Sequence, residues 1–232
     1  MTRDELESEY RRVADTEDFA EHQAFIRDLL ASNDPAVIDY HFGLLRDRRN
    51  QKLYQRLRAG FEKRGDAGAE YLVKRSSEEK DSRLLGDILH MLGKMRRPEA
   101  VPMARHLAKS PDPDLRDKAA YVLGWTGNQS DAEILGNLLL RDPDAKVRRD
   151  AATAHDQMRM RLPAATDRLL DNLRRALKQE TDEDVLAWII VTLQYFLHKS
   201  FGLKEHIEER KLTGNVMQAR ENAMAALMKR SN

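Results

Sequence analysis

The sequence predicts an all-α fold, a solenoid of stacked antiparallel helix pairs, and three observations point to it. A helical phrase is said twice, as DPDLRDKAAYVLGWTG from Asp112 and as DPDAKVRRDAATAHDQM from Asp142. Weaker copies flank it at similar spacing. Charged content is high, at 34%, which suits a helical protein with salt-bridged outer faces. Self-similarity at 20–50 residues marks a chain whose helix pairs bury their apolar faces only by stacking on neighbours.

Laying Leu115 over Val147 puts Arg116 over Arg148 and Ala119-Ala120 over Ala151-Ala152. Ser82–Gly93 fits the same frame, with Leu84 over Leu115 and Leu92-Gly93 over Leu123-Gly124, and Asp184–Phe196 fits with Val185 over Val147. Val101–Lys109 and Ala132–Arg141 supply partner helices.

From the N-terminus, residues 2–13 read as an acidic-leaning helix, and Thr16 as the cap of a helix through Leu30 with Phe19, Ile26, Leu29 and Leu30 on one face. Asp34 caps the next helix with Pro35 at its first position. Arg46–Arg64 follows, a basic stretch with eight Lys/Arg against two acids. As a helix from Gln51 it buries Leu53, Leu57 and Phe61 and brings Lys52, Arg56 and Lys63 within about 40° of each other on another side. Those three cations read either as a polyanion patch or as a solvated outer face, the latter preferred. Gly65–Gly68 reads as a turn or helix break, and Ser76–Glu79 as the start of the first clear repeat helix. Both Asp-Pro phrases read as cap plus first helical residue. Leu162-Pro163 ends the second; Ala164–Gln179 is a partner helix with Leu169, Leu170, Leu173 and Leu177 inward, and Thr181–Asp184 caps the most apolar helix, through Phe196. His198–Gly202 and Thr213–Asn215 read as loops, and Asn215 caps a closing helix.

The repeat resembles HEAT repeats, in particular the short HEAT-like repeats of the phycobilisome-lyase type, whose phrase is roughly D-x-x-x-x-V-R-x-x-A-A-x-x-L-G. Asp112, Leu115, Arg116, Ala119, Ala120, Leu123 and Gly124 carry it, then Asp142, Val147, Arg148, Ala151 and Ala152. Leu85 and Leu186 stand where Arg is expected, and His155 where Leu is. The resemblance implies a right-handed HEAT-like α-solenoid, read here as one domain over residues 1–232: divergent helices over 1–76, repeats over 79–197, a capping helix over 198–232. It also implies a ladder in which Arg116 and Arg148 pair with Asp112, Asp114, Asp142 or Asp144 of neighbouring repeats. His155 reads as a core histidine in preference to a titratable site residue.

The 232 residues carry net charge +1, 34% charged residues and no cysteine. Thiolate zinc sites, disulfides and thiol nucleophiles are therefore excluded. No apolar run reaches the length of a membrane span, and MTRDELESEY lacks the apolar core of a signal peptide, so a cytoplasmic protein is the expectation, and the resemblance to small stand-alone HEAT-like proteins implies a bacterial one. None of the seven histidines forms H-E-x-x-H or a His-Glu pair, and no phosphate loop or nucleophile elbow occurs; no metal, cofactor or catalytic residue is expected.

Taking Val147 and its equivalents as inward, positions six and ten further on share one flank of each repeat helix. They hold His90 and Lys94, Tyr121 and Trp125, Thr153 and Gln157, Val191 and Tyr195. In HEAT-type folds this helix lines the concave face, so the resemblance implies an aromatic-bearing ridge there, with Asp117, Arg149, Asp156 and Gln194 nearer the centre. The competing reading is that this flank is core. Exposed aromatics in a mixed-charge setting fit a protein partner. The reading is a non-enzymatic binding module, of the adaptor or immunity and inhibitor kind. The alternatives are a nucleic-acid binder led by Arg46–Arg64, a HEAT-like DNA glycosylase with Trp125, Asp117 and Arg149 in its groove, and a phycobilin-lyase-type enzyme on the resemblance alone.

Overall fold

The computed structural model describes residues 2–206, 209 and 211–229. The fold is an all-α repeat fold carrying one small hairpin, and the chain divides into two compact units, Met1–Glu99 and Ala100–Asn232.

The first unit holds α1 (Arg3–Val13), α2 (Phe19–Leu30), α3 (Pro35–Leu44), α4 (Gln51–Glu62), α5 (Gly65–Ser76) and α6 (Ser82–Lys94). Phe25, Leu29, Phe42, Leu53, Leu57, Phe61, Leu72 and Ile88 form its core, each buried side chain contributing about 1.5–3 kcal/mol. Asp34 caps α3 with Pro35 first, as the sequence predicts. Four expectations are corrected. The cap of α2 is Asp18, because the Thr16 hydroxyl instead accepts from the Asp18 N–H, and Phe19 lies 62% exposed beneath the Arg56 guanidinium instead of facing the core. The break at 65–68 shrinks to Gly65, whose φ of 61° is left-handed, and α5 runs on from there. Ser76–Glu79 starts no helix: α6 is capped by Asp81, while Glu79 accepts from the Lys80 and Asp81 N–H groups and from Arg46 and Arg75.

The second unit holds α7 (Ala100–Leu107), α8 (Pro113–Thr126), α9 (Ala132–Arg141), α10 (Ala145–Arg161), α11 (Thr166–Gln179) and α12 (Glu183–Leu197). A two-stranded antiparallel hairpin follows, β1 (Lys204–His206) with β2 (Lys211–Thr213), then α13 (Val216–Lys229). α8, α10 and α12 pack side by side in one layer, each with a partner from α7, α9 and α11. The all-α reading missed the hairpin: Thr213, read as loop, pairs with Lys204.

One local device sets the register of these helices. An oxygen two residues before each cap accepts the cap's own N–H, and the cap carboxylate accepts from the first turn. It occurs at Glu79 and Asp81, Ser110 and Asp112, Asp142 and Asp144, and Glu180 and Asp182. α10 therefore starts at Ala145 under Asp144, two residues later than the expected start at Pro143 under Asp142. Asp142 is committed elsewhere: Arg116 grips it through Nε and Nη2, both at 2.7 Å, and turns Nη1 onto the Ser110 and Pro111 carbonyls. Arg148 repeats the grip on the Asp142 and Pro143 carbonyls, but its carboxylate is Glu180, at 2.8 Å, in place of an aspartate.

His155 is a core residue. It is fully buried, Nδ1 donates to the Ala151 carbonyl at 2.7 Å, and Nε2 accepts from Asn172 at 3.3 Å. Burial holds its pKa down at about 4, so the ring is neutral. Asn172 also reaches the Ala132 carbonyl, and a Cβ on Gly136 would sit 2.5 Å from its amide, which explains the glycine.

Candidate protein-interaction face

The residues of the expected ridge fall into both units. In the first, on α6, His90 is half-buried and Lys94 exposed. In the second, Tyr121 and Trp125 of α8 are half-buried and Tyr195 of α12 is 43% exposed. Tyr195 donates its hydroxyl to Glu205 of β1, which together with burial holds the phenol up at about 12. Val191, in the same row, is core. Gln157 of α10 turns toward α8: a Cβ on Gly124 would lie 2.5 Å from its Oε1. Gln194, expected nearer the centre, instead braces the chain after α12, with its Oε1 accepting from the Phe201 N–H and its Nε2 donating to the Leu203 carbonyl.

Beside these aromatics the first turns of α8, α10 and α12 interlock charge. Lys146 Nζ lies 2.5 Å from Asp117 and 3.7 Å from Asp114. Arg149 pairs with its neighbour Asp150 at 2.8 Å and with Asp184 of the next repeat at 3.4 Å. Burial pushes the Asp117 carboxyl well above the ordinary carboxylate range, and Asp150 beside it adds to the rise. Burial works the same way on Asp150, but Arg149, Asp117 and Lys146 together outweigh it and hold that carboxyl low. Further along α10, Asp156 accepts from Arg159 at 2.8 Å, whose guanidinium covers Phe196 at 5.0 Å. Lys146 and Asp150 went unnoticed in the sequence because each lies next to a residue already assigned a role.

The basic stretch is drawn into internal contacts. Lys52 Nζ lies 2.6 Å from Glu17, Arg56 Nη1 donates to His22 Nδ1 at 2.5 Å, and Lys63 stays exposed. The three do not stand together as uncommitted cations. Among the described residues no group of three or more His, Asp or Glu could hold a metal ion, and no helix is long and apolar enough to cross a membrane.

A chain of stacked helix pairs with an arginine–carboxylate ladder is a helical repeat protein. Residues 69–156 match the family model of HEAT repeats. No curated protein matches the sequence. Among solved structures, an engineered protein is 18% identical over 85% of this chain and 98% of its own, at TM-score 0.49. The CpcE and CpcF complex of phycocyanin lyase from Nostoc sp. PCC7120 is 15% identical over 96% of this chain and 94% of its own, at TM-score 0.44. A computationally designed self-assembling cyclic homo-oligomer is 9% identical, with 97% and 89% covered, at TM-score 0.22.

Proposed function

We propose that the protein is a non-enzymatic module that binds a protein partner through the layer of α8, α10 and α12, the side expected to be concave, and that it serves as an adaptor or as an immunity or inhibitor protein. The observation that carries this reading is the partly exposed aromatic set Tyr121, Trp125 and Tyr195 on the layer that bears the alternating charges of Asp117, Lys146, Arg149, Asp150 and Asp184. Half-buried aromatics supply contact area at a small loss of side-chain freedom, and mixed charge sets register with another protein surface. A phosphate backbone would meet Asp117, Asp150 and Asp184 interleaved with Lys146 and Arg149, so the same mixed charges speak against a nucleic acid there.

The test is a pull-down from native lysate with mass spectrometry of proteins and nucleic acids, then affinity measurement with the captured partner. Trp125→Ala is expected to weaken binding by about 2 kcal/mol, roughly thirtyfold, with an unchanged helical spectrum. Unfolding of the variant would place Trp125 in the core and end the reading. Capture of nucleic acid alone, released by salt, would transfer the function to another class.

A further inference from the structure

Away from that layer's aromatics, the second unit holds a cavity of about 370 Å³ between the first two turns of α12, strand β2 and the start of α13. Trp188, Leu212 and Val216 give it apolar walls, and Glu183, Asp184 and Lys211 give it charge. Trp188 occupies the repeat position that holds Lys118 in α8 and Asp150 in α10, so a half-buried indole stands where its counterparts are charged. Among the described residues no cation pairs with Glu183, and Asp184 remains 63% exposed although Arg149 reaches it at 3.4 Å.

The hairpin adds a second feature. Glu205 and Leu212 are cross-strand partners, and Glu205 accepts from Tyr195, so this face of the hairpin lies on α12 while Lys204, His206, Lys211 and Thr213 point outward. Successive strand side chains alternate in direction, yet all of Lys211, Leu212 and Thr213 border the cavity. A cavity lined by every residue of a strand is bordered by that strand's edge. The hairpin has two strands, β1 occupies one edge of β2, and among the described residues no strand pairs with the other edge.

We propose that this cavity takes a lysine or arginine side chain from an extended segment of a partner protein, which adds along the open edge of β2 as a third strand. The aliphatic stem lies on Trp188, the cation sits over the indole and reaches Glu183 and Asp184, and the backbone bonds to β2. Carboxylates over an aromatic wall select a cation, and the strand edge selects an extended peptide over a free amine. This site meets the face proposed above at Asp184 of α12, and Trp125 takes no part in it.

The probe is a blocked hexapeptide alternating threonine and lysine, compared with its glutamate counterpart and with agmatine. The readouts are Trp188 fluorescence in a Trp125→Phe protein and amide hydrogen exchange at Leu212 and Thr213. The lysine peptide is expected to shift the Trp188 emission and slow exchange along β2, and the glutamate peptide to do neither. Glu183→Gln with Asp184→Asn is expected to weaken binding about tenfold, and Trp188→Ala to abolish it. Should Trp188→Ala unfold, the double charge variant carries the test. Equal binding of the glutamate peptide, agmatine binding as tightly as the peptide, unchanged exchange along β2, or wild-type affinity in the double variant would each overturn the proposal.

Discussion

Arg116 in the second unit and Arg64 in the first do one job in two settings. Each turns its guanidinium onto carbonyls of the loop that precedes a helix, Ser110 and Pro111 before α8 for Arg116, Ser32 before α3 for Arg64. Arg116 completes its set with the buried Asp142 carboxylate, a bidentate pair. Arg64 is equally buried, but no carboxylate among the described residues bonds it; its other partners are the Leu29 carbonyl at 2.7 Å and His41 Nδ1 at 3.1 Å. Leu29 lies in the last turn of α2, where the helix dipole favours a cation. The regular repeats thus compensate the charge with an opposite charge, and the divergent helices compensate it with oriented carbonyls.

That contrast sets the largest expected effect. Arg116→Ala strands the Asp142 carboxylate in a buried setting and is expected to cost about 3–5 kcal/mol in urea unfolding. Arg116→Met with Asp142→Leu, which removes both charges, is expected to recover most of it. Arg64→Met strands only carbonyls and a neutral imidazole, with an expected loss of about 1–3 kcal/mol. Equal losses at Arg116 and Arg64 would show that the two settings are energetically alike.

Acid sharpens the same comparison, because each unit holds a histidine, His41 in the first and His155 in the second, that burial keeps neutral. Burial lowers His41 to about 3, with the Arg64 charge adding to the fall, and lowers His155 to about 4. The unfolded chain binds these protons first, so the stabilisation is fully present above about pH 6.5 and is lost as pH falls below it. His155 alone accounts for about 3 kcal/mol lost by pH 4. Asp117 works oppositely: its raised carboxyl binds a proton more readily when folded, which adds stability as pH falls. Asp117→Asn is therefore expected to steepen the acid loss in a pH series of urea unfolding curves, and His155→Gln to flatten it between pH 6.5 and 4.

The helix caps show what the sequence made legible. Asp34-Pro35 and Leu162-Pro163 fall where read, because proline permits a helix start and forbids a helix interior. Arg116 meets Asp142 as the ladder requires, and His155 is core as preferred. The phrase itself was aligned wrongly at its start. Matching the two DPD strings pairs Asp112 with Asp142, yet each cap lies three residues before Leu115 or Val147, so Ser110-Pro111-Asp112 is the true counterpart of Asp142-Pro143-Asp144. Glu79-Lys80-Asp81 and Glu180-Thr181-Asp182 are further copies, and Thr16-Glu17-Asp18 and Ser32-Asn33-Asp34 use the same device in the first unit. An identical tripeptide hid a functional equivalence between serine, aspartate and glutamate, each an acceptor for the cap N–H. The hairpin escaped notice because strands of three residues carry no readable alternation. The cavity at Trp188 had one signal, a tryptophan at a repeat position that is otherwise charged.

The smallest expected effect tests where charge matters. Lys52 and Glu17 lie as close as the ladder pairs, at 2.6 Å, but both are more than half exposed. Water and salt screen such a pair, and ordering two long side chains offsets what remains. Lys52→Ala is expected to leave the urea midpoint unchanged within error at both low and high salt. A clear destabilisation, lost at high salt, would mean that the basic stretch of α4 holds the first unit together electrostatically. The contrast between the units would then be one of exposed against buried pairing, and the carbonyl clamp of Arg64 would be a minor part of it.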